Sequence, residues 1–395
     1  MPDRLIVAQT GGPTTVINAS LAGVLAAAQQ NELVALGARH GFRGLAMNQL
    51  VNLSDYAAAA LEKLADTPGA VLGSGRYRVE EPDYERFAAT LRQNNARYLV
   101  LIGGNGTMHV ARRITDYTHA SGLDARVIGV PKTIDNDVAH TDHTPGYGSA
   151  ARFVALAVRD SGLDLEAMAT FDDVVILEVF GRNTGWLAAA AGLAKDYTAH
   201  APHLIYVPEI AFDEPHFLAD IQRLHRQQGY VYVVVSEGIH DAEGHFIGAD
   251  PNHVDSLGRP IHALSAGAGA YLTRRVQEHL GLQARLLRPG LIGRSLSACI
   301  SPVDRDEAWQ AGYEAVVRLL AGSHGQMMTL QRQSNQPYHC IVDTVPLNQT
   351  GSIEKLLPRA YLDTGGNMIS EAFRTYALPL IGSLDPVFRL KDAKI

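Results

Sequence analysis

The chain has 395 residues, of which 46% are hydrophobic and 19% are charged, and its net charge is −7. This is the composition of a globular protein with two or three domains, and it provides no basic surface for nucleic acid. No apolar run is long enough to span a membrane, so no membrane partner is expected. Cys299 and Cys340 are the only cysteines. With no signal-like segment in the sequence, they favour a reduced, cytoplasmic protein over one with disulfides or a Cys-based zinc site.

Short apolar runs that end in loops of small or charged residues recur through the first 140 residues. Two of them, 5–9 and 98–102, lead into the glycine-rich loops 10–15 and 103–107, and helices are predicted after both loops. Free backbone N–H groups at the start of a helix attract anions. The glycine spacing fits neither a Walker loop nor a dinucleotide-binding fingerprint. The alternation of strands and helices predicts a mainly parallel α/β sheet with a phosphate site at its carboxyl ends.

The same pattern continues in the second half of the chain, which predicts a second Rossmann-like α/β lobe facing the first. The predicted elements are strands 174–179, 204–207 and 230–235 and helices 150–159 and 213–226. Three arginines, Arg285, Arg288 and Arg294, then fall within ten residues. Such a cluster is either a solvated face or a site that binds a phosphate through bidentate hydrogen bonds.

The densest group of charged side chains is the segment 131–137, Pro-Lys-Thr-Ile-Asp-Asn-Asp, which follows the predicted strand 127–130. In an extended segment Asp135 and Asp137 lie on one side and Lys132 on the other. A cation beside two carboxylates suits phosphoryl transfer: the cation binds the moving phosphate, one carboxylate accepts a hydroxyl proton and the other lies near a metal. For this segment alone, a surface turn with an ordinary ion pair is the alternative.

Taken together, these motifs resemble those of the phosphofructokinase family, and the resemblance covers most of the chain. The core of the resemblance is the Thr-Ile-Asp-Asn-Asp segment at 133–137 and the Gly-Gly-Asn-Gly-Thr loop at 103–107. The segments 141–150 and 357–381 look like the long branch of the family that contains pyrophosphate-dependent members. The resemblance implies a phosphofructokinase-like fold and a glycolytic enzyme that moves a phosphoryl group from ATP or pyrophosphate to the 1-hydroxyl of fructose 6-phosphate, with Mg²⁺ as cofactor.

The resemblance also implies a role for each matching residue. Asp135 would be the general base that takes the proton of the sugar hydroxyl, and Lys132, Thr133 and Arg76 would complete the catalytic group. The donor would be bound by Gly12, Gly104, Asn105, Gly106 and Thr107, and the metal by Asn105 and Asp137. The sugar phosphate would be bound by Thr133, Asp135, Asp137, Phe180, Gly181, Arg182, Glu237, Arg285 and Arg294.

The residues that decide the donor point in different directions. Pyrophosphate-dependent members typically carry Asp at the position of Gly106, where the carboxylate repels the α-phosphate of a nucleotide, so Gly106 favours ATP. Lys132 is typical of pyrophosphate users but also accompanies Gly in some ATP-dependent members. Asn105 replaces the Asp usually assigned to Mg²⁺ and occurs in the pyrophosphate branch as well. The sequence therefore predicts ATP as donor, with a reversible pyrophosphate-dependent enzyme as the alternative.

Three replacements concern the acceptor. Phe180 stands for a usual Met, Leu291 lies where His or Tyr commonly meets the sugar phosphate, and Asp173 lies where bacterial ATP enzymes have an arginine from a neighbouring subunit. A carboxylate at position 173 would repel a 6-phosphate. Fructose 6-phosphate is the expected acceptor, with a kinase for sedoheptulose 7-phosphate and a non-catalytic sugar-phosphate sensor as alternatives.

The resemblance also predicts the domain organisation. A donor-binding lobe is expected at 1–140, taking back a segment near 290–345, followed by a sugar-phosphate lobe at 141–290 and a C-terminal extension at 346–395. Because active sites of this family are shared between subunits, a homodimer or homotetramer is expected.

Overall fold

The computed structural model describes residues 3–197, 200–249, 267–351 and 353–388. The strands are β1 (Arg4–Gln9), β2 (Val34–Ala38), β3 (Leu50–Asn52), β4 (Ala96–Gly103), β5 (Arg126–Pro131), β6 (Val174–Val179), β7 (Leu204–Tyr206), β8 (Val231–Ser236), β9 (Ala284–Leu287), β10 (Gln326–Asn335) and β11 (Tyr338–Pro346). The helices are α1 (Ile17–Gln30), α2 (Phe42–Ala46), α3 (Ala58–Ala65), α4 (Glu81–Gln93), α5 (Asn105–Ala120), α6 (Tyr147–Ala167), α7 (Trp186–Ala190), α8 (Glu214–Gln228), α9 (Ala268–Leu280), α10 (Pro302–Leu320) and α11 (Glu371–Ile381). Short 3₁₀ turns lie at Ala191–Ala194, Gly290–Arg294, Ser297–Cys299, Leu347–Gln349 and Arg359–Tyr361.

The first sheet has seven strands in the order β11-β10-β5-β4-β1-β2-β3. Its centre is parallel, and only the two edge strands β3 and β11 run antiparallel to their neighbours. Strands β1 and β4 are buried almost throughout, because helices cover both faces of the sheet. Their continuous apolar runs are the reason that the sequence predicted them to within two residues.

The chain returns to this sheet after the second sheet is complete. Helix α10 packs closely on α1, and glycines at the crossing allow backbone contact: a Cβ on Gly23 would lie 2.0 Å from the carbonyl oxygen of Trp309, and one on Gly312 would lie 1.9 Å from that of Ser20. Strands β10 and β11 then extend the sheet beyond β5.

The second sheet has four parallel strands in the order β7-β8-β6-β9. Helix α6 and the C-terminal helix α11 pack together over it in one apolar cluster. Helix α6 begins at Tyr147, earlier than the predicted 150. The buried carboxylate of Asp304 accepts hydrogen bonds from the backbone N–H groups of Gly146 and Ser149, at 2.8 and 2.9 Å, and so satisfies donors at the start of this helix.

The architecture is therefore α/β, with two mainly parallel sheets whose carboxyl ends face a common cleft, which confirms the predicted fold class. Within the described part of the chain, no helix combines the length and the apolar character needed to cross a bilayer.

Candidate active site

A cleft of about 1180 Å³ lies at the carboxyl ends of the two sheets. Loops that follow β1, β4 and β5 form one wall, and loops that follow β6 and β8 form the other. Most of the residues predicted for the site line it: Gly12, Arg76, Gly104, Asn105, Gly106, Thr107, Lys132, Thr133, Asp135, Asp137, Phe180, Arg182, Glu237 and Arg294. The sequence motifs thus meet in one place, as expected for carboxyl-end loops of parallel sheets.

Two glycines after β1 allow two cations to enter the cleft. The ammonium group of Lys132 donates to the carbonyl oxygen of Gly12 at 2.6 Å. It also lies 3.3 Å from where a Cβ on Gly11 would be, and Nη1 of Arg294 lies 2.5 Å from the corresponding position on Gly12. Any side chain at residue 12 would therefore displace the guanidinium. Burial and the neighbouring Arg294 lower the pKa of Lys132 to about 8, while Asp135 and Asp137 oppose that shift.

Asp135 has the properties of a general base. Burial, together with the nearby carboxylates of Asp137 and Glu237, raises its pKa to about 7, and the cations Lys132 and Arg294 limit the rise. Its backbone is fixed from two sides: the Asp135 N–H donates to Oγ1 of Thr133 at 3.1 Å, and its carbonyl accepts from Oγ1 of Thr184 at 3.0 Å. A carboxylate with a pKa near neutrality accepts a proton efficiently at physiological pH.

The start of helix α5 lies on the same wall of the cleft as Asp135. Gly104 is its N-cap residue, and Asn105, Gly106 and Thr107 form its first turn. The hydroxyl groups of Thr10 and Thr107 lie 2.5 Å apart and join this turn to the end of β1. Unsatisfied N–H groups and the helix dipole make such a turn suited to phosphate oxygens. A Cβ on Gly106 would contact no atom within 4 Å, so the space beside it is open.

Asn105 and Asp137 provide oxygen atoms that fit a hard divalent cation. Nδ2 of Asn105 donates to Oδ2 of Asp137 at 3.1 Å and to its carbonyl oxygen at 3.2 Å. Oδ1 of each residue is buried without a hydrogen-bond partner, and burial raises the pKa of Asp137. Unpaired buried oxygens are costly unless a further ligand satisfies them, and Mg²⁺ prefers carboxylate and carbonyl oxygens.

On the opposite wall, the Arg294 guanidinium lies 5.6 Å from the ring centroid of Phe180, within the range of a cation–π contact. Glu237 follows β8, its N–H donating to the carbonyl of Val179, and burial, reinforced by Glu178, raises its pKa. Arg182 and Glu237 interact electrostatically. Hydrogen-bonding and charged groups from the second sheet thus face Asp135 across the cleft.

The structure does not bring Arg285 into this cleft. Strand β9 pairs with β6 so that Arg285 lies opposite Val175, near the amino end of the sheet, and its Nε donates to Asp172 at 2.6 Å. The carbonyl of Gly181 is also occupied, because it accepts from the hydroxyl of Ser236 at 2.5 Å. Arg285 lies within strand β9 and Arg294 within the following 3₁₀ turn. Their closeness in sequence therefore does not bring both side chains to one site.

Asp173, the residue expected to repel a 6-phosphate, is also engaged at that amino end. Its carboxylate lies 2.8 Å from Nε2 of His225 and accepts from the N–H of Gln283 at 2.7 Å. Leu291, by contrast, is 65% exposed. The carboxylate of Asp173 is therefore occupied by partners in its own chain.

Residues that the sequence did not single out also line the cleft. Glu354 accepts two hydrogen bonds from Nδ2 of Asn183, at 2.8 and 3.0 Å, and Nη2 of Arg113 donates to both carboxylate oxygens of Glu81, at 2.9 and 2.8 Å. Glu354 belongs to an irregular segment near the C-terminus with no periodic pattern, so only the fold could reveal its position.

Comparison with known proteins gives the same picture as the geometry. The family described as Phosphofructokinase matches residues 4–319. The pyrophosphate--fructose 6-phosphate 1-phosphotransferase of Xanthomonas campestris pv. campestris is 39% identical, over 97% of this chain and 93% of its own length. The sulfofructose kinase of Alkalicoccus urumqiensis is 36% identical, over 91% of this chain and 92% of its own length.

A solved structure agrees at the level of the fold. The pyrophosphate-dependent phosphofructokinase of Marinobacter aquaeolei superposes with a TM-score of 0.87, at 31% sequence identity, over 98% of this chain and 94% of its own. The family match, the relatives that align nearly end to end and the grouping of the motif residues in one cleft agree. The chain therefore belongs to the phosphofructokinase family of phosphotransferases.

Proposed function

We propose that this enzyme transfers a phosphoryl group from pyrophosphate to the 1-hydroxyl of fructose 6-phosphate in a Mg²⁺-dependent, reversible reaction. The observation that carries the proposal is the placement of Asp135, with its pKa near 7, beside the cations Lys132 and Arg294 at the start of α5. The products would be fructose 1,6-bisphosphate and orthophosphate.

The donor is the point at which this proposal departs from the expectation of ATP, which is not confirmed. Both the 39% identical relative and the superposed structure are named as pyrophosphate-dependent. Lys132 lies within the cleft wall and has its ammonium group beside the loop after β1, where it can bind a phosphate oxygen. The open space at Gly106 does not by itself select a nucleotide, since pyrophosphate needs less room than ATP.

The proposed mechanism relies on positioning and charge neutralisation. The oxygen of the 1-hydroxyl attacks the terminal phosphorus, its proton passes to the carboxylate of Asp135, and the bond from that phosphorus to the bridging oxygen breaks to release orthophosphate. Lys132, Arg76 and the first turn of α5 hold the negatively charged phosphates. Asn105 and Asp137 would hold Mg²⁺, which when bound neutralises charge on the donor phosphates.

Initial rates with fructose 6-phosphate and Mg²⁺, measured with pyrophosphate and with ATP, test the donor. We expect turnover with pyrophosphate, formation of orthophosphate and a measurable reverse reaction from fructose 1,6-bisphosphate and orthophosphate. Activity with ATP alone would contradict the proposal. Asp135→Asn should lower kcat by at least about 100-fold while the fold stays intact, and near-normal turnover of that variant would remove Asp135 from the role of base.

A second acceptor is supported by the ion pair of Arg288. This arginine lines a small pocket together with Phe180 and Glu237, and it pairs with Glu178 at 2.8 Å, so a carboxylate already neutralises part of its charge. A sulfonate carries a single negative charge, less than a phosphate monoester at neutral pH, and one relative is named a sulfofructose kinase. The same assay with sulfofructose and with sedoheptulose 7-phosphate as acceptors distinguishes these substrates by kcat/KM.

A further inference from the structure

The catalytic segment is held from behind by residues far away in the sequence. Asn136 lies between Asp135 and Asp137, is fully buried and adopts a positive φ of 54°, a conformation that Asn tolerates better than most residues. A conformation of this kind persists when surrounding contacts determine it. The contacts of the Asn136 side chain therefore bear on where both flanking carboxylates lie.

Three groups bind that side chain. Its Oδ1 accepts from the N–H of Thr144 at 3.2 Å and from Nζ of Lys355 at 3.0 Å, and its Nδ2 donates to the hydroxyl of Tyr376 at 3.0 Å. Lys355 and Tyr376 both belong to the C-terminal part of the chain, and Tyr376 lies on α11. The hydroxyl of Tyr376 donates in turn to the carbonyl of Asp142 at 2.8 Å, so the same group holds both ends of the segment 136–142.

Lys355 has a hydrogen-bond acceptor for each of its ammonium hydrogens. Its three ammonium hydrogens can reach three oxygens: Oδ1 of Asn136, the carbonyl of Thr141 at 3.2 Å and the carbonyl of Asp142 at 2.9 Å. Its backbone N–H donates to the carbonyl of Asp137 at 2.8 Å. The Lys355 ammonium lies 5.1 Å from the ring of Trp186, whose indole N–H donates to the Lys355 carbonyl.

A buried lysine at this place is not explained by an ion pair. Among the described residues the Lys355 ammonium forms no salt bridge, and its hydrogen-bond acceptors are neutral oxygens of the loop 136–142, while the carboxylates of Asp142 and Asp137 act on it electrostatically. Burying a charge in this way is unfavourable unless the hydrogen bonds compensate it. A residue kept only for packing would not need hydrogen-bond donors, so the three hydrogen bonds of Nζ point to a task in holding the loop.

We propose that Lys355 and Tyr376 are positioning residues for the phosphoryl transfer: through the Asn136 side chain they fix the Asp135 and Asp137 carboxylates on either side of it. The proposal rests on the proposed role of Asp135 as base. Neither residue touches the reacting atoms. A small displacement of a catalytic group is enough to slow a reaction by about 100-fold. Changes to the anchor, which we define as Lys355, Tyr376 and the Asn136 side chain that they hold, should therefore affect turnover more than substrate binding.

Three single variants, two control variants and the double variant Lys355→Met/Asn136→Gly test this arrangement. Lys355→Met removes the ammonium group with little change of volume, and Asn136→Gly permits the positive φ but removes the anchored side chain. Lys195→Met is the matched control for the loss of a lysine, because Lys195 donates to the carbonyl of Pro202 in the second lobe. Tyr376→Phe removes one hydroxyl, with Tyr232→Phe, which loses a hydroxyl contact to Ser161, as its control.

We expect kcat to fall about 10- to 100-fold in Lys355→Met and in Asn136→Gly, with KM for both substrates within about threefold of wild type. The double variant should be no slower than the slower single variant, since both changes break the same contact. Independent effects that multiply, or a kcat of Lys355→Met equal to that of Lys195→Met, would overturn the proposal. Should Lys355→Met fail to fold, Tyr376→Phe supports the same cycle with Asn136→Gly.

Hydrogen exchange separates this proposal from the proposed function. Amides of residues 133–144 should exchange faster in Lys355→Met and Tyr376→Phe than in their control variants, whether or not the wild-type enzyme uses pyrophosphate. Unchanged exchange in both variants would overturn the anchor even if the enzyme is fully active. If these variants exchange faster but the wild-type enzyme is inactive with every donor, the anchor is supported and the proposed function is contradicted.

Discussion

Asn105 and Asp137 hold each other through a hydrogen bond of 3.1 Å, yet Oδ1 of each residue is buried without a partner. In a structure where most buried polar atoms are paired, two unpaired oxygens on adjoining side chains are informative. They are neutral amide and anionic carboxylate oxygens, a combination that Mg²⁺ accepts.

Asp137→Asn should therefore raise the Mg²⁺ concentration needed for half-maximal rate by about tenfold or more, because the only anionic group of the pair is lost. A Mg²⁺ titration at saturating substrates measures this, and calorimetric Mg²⁺ binding gives a readout without turnover. Asp241, Glu243 and His245 form another group with metal-ligand geometry, but the last two are exposed. Glu243→Gln is thus the control, and an equal effect of both variants would argue against the Asn105–Asp137 site.

The pH dependence of the reaction should report on Asp135. Since burial and neighbouring carboxylates raise its pKa to about 7, kcat/KM should rise with pH through about 7 as the base becomes ionised. Lys132 lowers this pKa, so Lys132→Met should move the rising limb to higher pH in addition to weakening donor binding. Ionisation of the substrates affects wild type and Lys132→Met equally. A rising limb at the same pH in both enzymes would therefore show that Lys132 does not lower the pKa of Asp135.

The donor preference should respond to a single charge at Gly106. A Cβ added at this position would have no atom within 4 Å, so an aspartate side chain can be accommodated there without a steric clash. Gly106→Asp should remove any activity with ATP, because its carboxylate repels a nucleotide α-phosphate, and should leave the rate with pyrophosphate within about tenfold. Gly106→Ala, which adds volume without charge, is the control. If Gly106→Asp loses activity with both donors while Gly106→Ala keeps it, then the space beside Gly106 is needed for pyrophosphate as well.

Stability should depend on pH through His143. This buried imidazole lies 2.6 Å from Glu307 and 2.8 Å from Asp142; although burial alone would lower its pKa, these carboxylates raise it to about 9. A pKa above the unfolded value of about 6.5 gives stability that is complete below pH 6.5 and is lost as the pH rises through 9. The free energy of unfolding should fall by roughly 3 kcal/mol over that interval.

Urea unfolding between pH 6 and 9.5 measures this dependence. His143→Gln should be less stable than wild type at pH 6.5 and should flatten the curve. His216→Gln removes an exposed imidazole and should leave the curve unchanged. A wild-type curve that is already flat would show that His143 does not gain a proton in the folded state.

Much of the site could be predicted from the sequence because it follows buried parallel strands. Strands such as β1, β4 and β6 are continuous apolar runs, and the residues directly after such runs necessarily meet at one edge of a sheet. Asp135, Lys132 and Gly104 could be placed together for this reason.

The parts that escaped prediction depend on contacts between distant segments. Helix α6 starts early because Asp304, about 155 residues further along the chain, satisfies its first N–H groups. Arg285 was placed with Arg294 by nearness in sequence, but the register of β9 puts it at the other end of the sheet. Lys355 gave no signal at all, because a lysine in an irregular segment has the pattern of a solvent-exposed residue.

The first sheet combines strands from two separated parts of the chain, and this affects how the protein folds during its synthesis. One edge of β5 pairs with β4, but the other pairs with β10, which begins at residue 326. On a ribosome working at about 5–20 residues per second, that edge waits for roughly 10–40 seconds for its partner. The strands of the second sheet, from 174 to 287, are by then complete. A nascent chain stalled before β10 would thus expose an unpaired parallel strand, the kind of edge that recruits other chains into aggregates.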